Sequence, residues 1–297
     1  MFSRCLKKIR VTVLVSCLGM SAAASAAVGI ETTPAATTGS RVLHVAADPN
    51  NLPFSNEQRQ GFENKIVDLV AHELGMTVEY TWWAQRRGFF RNTLKEGPCE
   101  LVPGVPRGFD LTLTTIPYYR STYVFLTRAE RRLALRSLDD PRLRDLKIGV
   151  QMVGDDFMNT PPAHALSRRG MVENVRGYTL YGDYRESNPP ARIVDAVVNG
   201  EIDVALVWGP LAGYFAKQRG ARLVVTPIAP DEGEGAMPFA FDICMGIRKS
   251  DPALRAAVND VLTRKRNEID AILAEYGVPR VDGRTAAQAA IPVNSTP

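Results

Sequence analysis

The sequence predicts an α/β protein of two lobes joined by two crossovers, and three observations carry this prediction. Apolar stretches and amphipathic helices alternate from Arg41 onward, which is typical of a mainly parallel sheet with helices on both faces. The alternation starts again after the middle of the chain. The C-terminal part breaks it with one long strand-like run and one long helix, so we expect this part to return to the first lobe and complete it.

The first α/β unit begins with the apolar strand RVLHVAA, which ends at a turn-rich loop after Asp48. The stretch GFENKIVDLVAHELG then predicts a helix that ends at Gly75. Its apolar face contains Phe62, Ile66, Leu69, Val70 and Leu74. Next come a strand, a helix and a third strand, predicted from MTVEYTWW, RGFFRNTLKEG and CELVPGVP. This order favours a parallel sheet.

The second unit repeats the pattern from LKIGVQ to RLVVTPI, with predicted helices through His164, over 191–198 and over 211–219. The run FAFDICMGIRK and a helix that begins at Pro252 follow. We expect crossovers near 123–128 and near 239–245. The first lobe then covers 41–126 and 239–280, the second lobe covers 127–238, and 281–297 form a tail. Ligands of open α/β sheets bind beyond the carboxyl ends of the strands, so the predicted site is the cleft between the lobes.

The N-terminus predicts export. Four bases precede a short apolar run and the small residues SAAASAA, a pattern typical of a secretory signal peptide over 1–27. Residues 28–40 read as a flexible leader, and the expected location is the periplasm. A lipoprotein-type reading with Cys17 as the lipidated residue is an alternative, although its apolar segment is short. No other segment reads as transmembrane, so we do not expect an integral membrane protein.

Charge and cysteine content limit the function further. The chain has 36 basic and 32 acidic residues, and the predicted signal peptide contains four of the bases, so the remaining chain is close to neutral. Nucleic-acid binding would need a clustered basic face and is not expected. Cys99 and Cys244 remain after cleavage. They either form a disulfide in an oxidising compartment or are two buried thiols on strands.

Seven strings in the same order resemble the MxaJ/XoxJ group, within the family 3 extracellular solute-binding proteins of ABC importers. They are AADPNNLPFSN, GFENKIVDLVAHELG, EYTWWAQRRGFFRNTL, TTIPYYRSTYVF, NTPPAHALSRRG, YGDYRESNPPARIVDAV and EIDVALVWGPLAGYF. The resemblance covers Arg41 to about Pro279. It implies a type II periplasmic binding protein fold and a partner, namely a periplasmic PQQ-dependent alcohol dehydrogenase, especially methanol dehydrogenase, or its cytochrome. The group usually has a cysteine where this chain has Ala46, which leaves Cys244 as the available partner for Cys99.

Amino-acid binders of the wider family hold the ligand carboxylate with the arginine of a T-x-x-R segment. Here Arg107 is nearby without that frame, so it is either a clamp or a solvated turn residue. The aspartate that such binders use for the ligand ammonium corresponds to Trp208, whose indole N–H donates a hydrogen bond but cannot neutralise a cation. A cation–π contact is the remaining function for it. We therefore do not expect a conventional amino acid in the cleft.

Other residues are also candidates for the cleft. Asp155 and Asp156 follow the first strand of the second lobe, with Asp48 and Asp183 near the same mouth. They suit a cation, an amine or a polyol, or they cap helices. The remaining candidates lie at strand ends or in loops and are Phe54, Trp83, Tyr118, Tyr119 and Gln151. Arg86 and Arg87 beside the tryptophans predict a partner surface or a solvated helix start.

The sequence favours a binding protein over an enzyme. His44, His72 and His164 share no motif, and we find no G-x-S-x-G, H-E-x-x-H or phosphate-binding glycine loop. No cofactor and no metal site are predicted. The leading hypothesis is an accessory protein that assists maturation or activity of the dehydrogenase through protein contact. The alternative is the receptor of an ABC importer for a small polar solute that is not an amino acid.

Overall fold

The computed structural model describes residues 41–153, 159–179, 184–219 and 222–281. Its strands are β1 (Arg41–Ala47), β2 (Asn50–Asn51), β3 (Ser55–Asn56), β4 (Met76–Trp82), β5 (Leu101–Pro106), β6 (Leu113–Thr114), β7 (Tyr119–Arg128), β8 (Ile148–Met152), β9 (Val175–Thr179), β10 (Val204–Trp208), β11 (Leu223–Pro227) and β12 (Ala240–Ile247). Its α-helices are α1 (Phe62–Glu73), α2 (Pro161–Arg168), α3 (Arg192–Val198), α4 (Gly209–Arg219), α5 (Pro252–Arg264) and α6 (Arg266–Glu275). These elements form the predicted two-lobed α/β fold.

The sheet of the first lobe contains β4, β1, β5 and β12 in that order. β1 is parallel to both β4 and β5, whereas β12 is antiparallel to β5 because it returns from the other lobe. Helices α1, α5 and α6 cover this sheet with a continuous apolar core around Phe62, Ile66, Val258 and Ile269, all fully buried. The C-terminal helices therefore complete the first lobe, as the sequence predicts.

The sheet of the second lobe is built from β7, β10, β8 and β9, with β11 on the other side of β7. β8 is parallel to β9 and β10, while β7 is antiparallel to β10. Apolar side chains of α3 and α4 pack on one face around Val194 and Phe215. The other face is covered by a cluster around Leu143 and Leu166.

Strand β7 passes through both lobes. Its residues 119–122 pair with β12, and its residues 123–128 pair with β10 and β11. The second connection runs beside it, where the Tyr123 N–H donates to the Phe239 carbonyl at 3.0 Å. Two adjacent extended strands thus join the lobes, and this confirms the predicted pair of hinge crossovers.

Two helices differ from the sequence prediction. The expected helix over RGFFRNTLKEG is a short helical segment over 89–95, of which Arg91–Lys95 is π-helical, between Gly88 and the Gly97-Pro98 pair. A proline lacks the N–H that a helix requires, and glycine destabilises helices. These residues limit the helix at both ends, so it stays short. The long C-terminal helix is divided at Lys265, whose φ of −100° and ψ of 22° leave the helical region.

Cys99 and Cys244 are buried, free thiols. Cys244 lies opposite Val105 on β5, whereas Cys99 precedes Leu101, the first residue of that strand. Four strand residues advance the chain by about 13 Å, and a disulfide needs Cα atoms within about 7 Å. Of the two alternatives that the sequence left open, the structure shows the two buried thiols. Burial raises the pKa of Cys244 to about 11.

Candidate functional site

A pocket of about 330 Å³ lies in the cleft, with walls from both lobes. Five of its lining residues are aromatic, namely Phe54, Tyr119, Tyr123, Trp208 and Phe241. Four are polar, namely Asn51, Glu63, Gln85 and Gln151. The others are Gly104, Pro106, Pro190, Leu211 and Ile243. Such a largely apolar cavity with a few polar groups is the usual form of a small-molecule site.

Glu63 enters the pocket from the start of α1, and the local sequence fixes its position. A side chain at Gly61 would lie 1.9 Å from the carbonyl oxygen of Phe54, so only glycine allows the loop to pass this close. Asn64 accepts hydrogen bonds from the N–H groups of Gly61 and Asn56, which caps the helix and holds the loop. The Glu63 N–H donates to the Phe54 carbonyl at 3.1 Å.

The Glu63 carboxyl group is buried and has one ordered hydroxyl partner. The Tyr118 O–H donates to its Oε1 at 3.1 Å, and the Tyr118 oxygen accepts from the Gly104 N–H at 3.1 Å. A Cβ atom at Gly104, which has a φ of +78°, would lie 2.5 Å from Oε1, so the backbone of β5 closes one side. Burial raises the pKa of Glu63 to about 7, against the smaller opposite effect of the Tyr118 hydrogen bond.

Trp208 forms the wall of the second lobe. Its ring packs edge-on against Tyr123 and Phe241, with centroid distances of 5.2 and 6.0 Å. Its side chain also hydrogen-bonds to that of Tyr119, and since an indole can only donate, the tyrosine oxygen accepts. The buried Gln151 accepts from the backbone N–H of Trp208 at 3.0 Å, which ties β8 to the end of β10. The wall is therefore rigidly positioned.

The mouth of the cleft is bridged by two hydrogen bonds. The Tyr184 O–H of the second lobe donates to Asp48 Oδ2 at 2.7 Å. The Asn50 side chain donates to the Glu186 carbonyl at 2.8 Å. Asp48 is itself fixed, because its carboxylate also accepts from the N–H groups of Asn50 and Gln85 at 2.9 and 2.7 Å. These contacts hold the lobes together on the side of the β2–β3 hairpin.

Of the residues that the sequence offers as cleft candidates, the structure places four in the pocket, namely Phe54, Tyr119, Gln151 and Trp208. Two further candidates do not line the pocket but form hydrogen bonds to residues that do. Tyr118 binds Glu63, and Asp48 binds Gln85. Trp83 and Arg107 do not line the pocket. Asp155, Asp156 and Asp183 lie outside the described residues, as do the signal peptide, the leader, Cys17 and the tail from 282 onward.

Arg107 lies outside the cleft because of the backbone pairing at the end of β5. Its N–H continues the ladder from β5 to the Asp242 carbonyl at 2.9 Å, which directs the side chain outward. There the guanidinium lies 3.8 Å from the Asp242 carboxylate, with 68% of the side chain exposed. The structure therefore places Arg107 outside the pocket, in the position of a solvated turn residue. Trp83 is likewise on the surface, 40% exposed, beyond the end of β4.

Sequence reasoning missed Glu63, Gln85, Tyr123 and Phe241 as pocket residues. For Glu63 a signal was present. Positions 63, 66, 67 and 70 share one helical face, and apart from Glu63 that face is entirely apolar. An acid on a buried stripe is uncommon unless it has a partner or a function. The other three residues show no comparable signal in the sequence, because ordinary strand and loop residues become pocket residues only where the two lobes meet.

Loss of the Tyr184 hydroxyl is expected to loosen the closed cleft. Tyr184→Phe removes the donor to Asp48 and leaves the packing of the ring, so the lobes should populate a more open arrangement. The checking measurement is the distance between spin labels on the two lobes, which should broaden toward longer values. Tyr178→Phe is the matched control, since its buried hydroxyl has no hydrogen-bond partner among the described residues. Identical distance distributions for Tyr184→Phe and the unmodified protein would contradict this assignment.

Among the described residues, no group of three or more His, Cys, Asp or Glu side chains is arranged to hold a metal ion. Within the same ranges no helix is long and apolar enough to cross a bilayer.

The two-lobed fold, the paired crossovers and the interlobe pocket define a binding protein of the periplasmic type. The structure is similar to the periplasmic binding protein XoxJ from Methylobacterium extorquens AM1, with a TM-score of 0.66 and 36% identity over 81% of this chain and 99% of that one. It is also similar to MxaJ from Methlophaga aminisulfidivorans MPT, with a TM-score of 0.70 and 25% identity over 80% of this chain and all of that one. An ancestral cationic amino acid solute-binding protein shares the fold at 22% identity, with a TM-score of 0.61.

Sequence comparison identifies the family. The chain is 34% identical to the protein MoxJ of Methylorubrum extorquens over 76% of this chain and 78% of that one. It is 29% identical to the MoxJ of Paracoccus denitrificans over 80% of this chain and 88% of that one. No protein-family model matches. The chain belongs to the MoxJ family of periplasmic binding-type proteins, which confirms the resemblance found in the sequence.

Proposed function

We propose that this protein is a periplasmic accessory protein of a PQQ-dependent alcohol dehydrogenase, specifically a methanol dehydrogenase, and that it assists maturation or activity of the enzyme through protein contact. Membership in the MoxJ family is the observation that carries the proposal. The predicted signal peptide over 1–27 would deliver the chain to the compartment of the dehydrogenase. The partner is the dehydrogenase or its cytochrome.

The composition of the cleft supports this proposal over amino-acid transport. An amino-acid receptor needs a cation for the ligand carboxylate and an anion for its ammonium group. Arg107, the one arginine near the expected place, faces solvent beside Asp242. Trp208 stands where the ammonium-binding aspartate is expected, and it already donates its N–H to Tyr119. A zwitterion would therefore find no cation for its carboxylate among the described lining residues.

A partner surface at the end of β4 belongs to the same proposal. Trp83 is 40% exposed, and Arg86 and Arg87 beside it are exposed as well. Tryptophan and arginine are the residues that most often dominate the energy of protein interfaces. Their side chains extend from a loop next to Gln85, which Asp48 holds in place. Docking at this surface would therefore be coupled to the mouth of the cleft.

The test is co-purification of the native dehydrogenase with the tagged protein from periplasmic extract. We expect the dehydrogenase or its cytochrome to be retained by the unmodified protein and by Val172→Ala, a control at an exposed apolar residue of the second lobe. Trp83→Ala should lower the retained amount at least ten-fold. Retention of neither the dehydrogenase nor its cytochrome would contradict the proposal.

The second candidate function is the receptor of an ABC importer for a small polar solute other than an amino acid. The observation that favours it is the interlobe pocket of about 330 Å³, which is large enough for a small molecule. Calorimetric titration with alcohols, aldehydes, PQQ and metal ions separates the two candidates. Micromolar affinity accompanied by lobe closure would favour the receptor, whereas dehydrogenase binding by the protein without a ligand favours the accessory function.

A further inference from the structure

The pocket contains one carboxyl group and no basic side chain among its described lining residues. Glu63 is an acid, and the lining includes no lysine, arginine or histidine. Arg107, which directly follows the lining residue Pro106, is exposed beside Asp242. Ionised Glu63 therefore has no cationic partner within the lining. An anionic ligand would meet an uncompensated like charge there, which is strongly unfavourable in a buried site.

The carboxylate also has unused hydrogen-bonding capacity. An ionised carboxylate has about four lone-pair positions, and Tyr118 occupies one of them on Oε1. Burial makes the ionised form costly, as the raised pKa of about 7 indicates. A bound cation would remove this cost, because opposite charges attract most strongly in surroundings of low polarity. The carboxyl group is thus suited to a positively charged partner.

The walls suit the same partner. Five aromatic side chains surround the cavity, and Trp208 is at the centre of the second wall. Aromatic faces attract cations, and tryptophan does so most strongly. Aromatic cages of this kind are a recurrent solution for binding ammonium groups. At about 330 Å³ the cavity limits the ligand to a small molecule.

The geometry points to a binding site for a small organic ammonium ion in the interlobe pocket, with the Glu63 carboxylate as its counter-ion and the aromatic rings as its walls. This site goes beyond the proposed function, which concerns protein contact outside the pocket. The ammonium group would approach the carboxylate oxygens, and the alkyl part would lie along Phe54, Trp208 and Phe241. Occupation would draw the two walls together and favour the closed arrangement of the lobes.

The titratable groups that face Glu63 simplify its pH dependence. They are Tyr118 and Tyr119 at the start of β7 and Tyr80 on β4, and burial raises the pKa of each above its ordinary value. All three stay neutral between pH 5 and pH 8. Glu63 is the member of this group that changes charge in that interval. Ammonium binding should therefore weaken as pH falls below about 7, by up to about ten-fold per pH unit.

The experiment is isothermal titration of the full chain with three probes that share one alkyl chain: butylammonium, butanol and butyrate. We expect butylammonium to bind at least ten-fold more tightly than butanol at pH 8, butyrate not to bind, and binding of butylammonium near pH 7 to release protons. Glu63→Gln should lower the butylammonium affinity at least ten-fold. Glu79→Gln, at an exposed position of β4, is the matched control and should leave the affinity unchanged.

Three results would overturn the site. They are equal binding of butanol and butylammonium, tighter binding of butyrate, and no binding of butylammonium at millimolar concentration. If Glu63→Gln does not fold, the pH dependence of the unmodified protein decides instead, since an affinity that is constant from pH 5 to pH 8 excludes Glu63 as counter-ion. These outcomes are independent of dehydrogenase co-purification, so either proposal can fail alone.

Discussion

Replacing Glu63 with glutamine is expected to abolish a pH-dependent change of about 3 kcal/mol in the free energy of unfolding. Burial raises the pKa of this carboxyl group from 4.5 to about 7 on folding, so the folded state binds the proton more tightly than the unfolded state. Its contribution to stability is therefore fully present below pH 4.5 and is lost as pH rises to about 7. At about 1.4 kcal/mol per pKa unit, this loss amounts to about 3 kcal/mol.

The measurement is urea unfolding at several values from pH 4.5 to pH 8, for the unmodified protein and for Glu63→Gln. The difference in unfolding free energy between the two should shift in favour of the variant as pH rises. The three histidines are present in both proteins, so their titration cancels in this difference. A difference that does not change with pH would show that Glu63 ionises normally in the folded chain.

Truncation of Phe62 is expected to have the largest effect on stability, a loss of about 3–5 kcal/mol for Phe62→Ala. The ring is fully buried and packs against Phe54, Tyr119 and Tyr276, with centroid distances of 5.4, 5.8 and 5.9 Å. Alanine would leave a cavity at the point where α1, the loop and the C-terminal helix meet. Because Phe54 and Tyr119 line the pocket, the cleft would lose its support as well.

Urea unfolding at one pH measures this effect. Leu111→Ala serves as the control, since Leu111 is 57% exposed and its truncation should change the unfolding free energy by no more than about 0.5 kcal/mol. A loss below about 1 kcal/mol for Phe62→Ala would mean that this aromatic cluster does not hold the first lobe together.

The order of elements and the two crossovers could be predicted because they depend on local periodicity. Strand β7 and the run over 239–247 are long. A chain that leaves one sheet and returns to it has few other possible topologies. Helix α1 was predicted from its apolar face and its glycine stop, and the structure confirms it. Residues 91–95 were predicted less well. Gly88 before them and the Gly97-Pro98 pair after them limit a helix that periodicity alone would extend.

The site was only partly predictable, because membership in a pocket is a tertiary property. Trp208 and Tyr119 could be found from their place at strand ends, where a cleft forms. Arg107 was offered from its place near an expected T-x-x-R segment, and only the structure shows that it lies just beyond β5, with its side chain in solvent beside Asp242. Asp48 contributes to the closed mouth, but its partner Tyr184 is 136 residues away, and no local pattern indicates such a contact.

The most direct test of the proposed function is dehydrogenase activity in a strain from which the gene for this protein has been deleted. We expect periplasmic PQQ-dependent methanol dehydrogenase activity to fall at least ten-fold and to return when the unmodified protein is supplied. Supplying Glu63→Gln instead should also restore it, because that residue belongs to the pocket and not to the proposed docking surface. Full activity of a normally assembled dehydrogenase in the deletion strain would contradict the proposed accessory function.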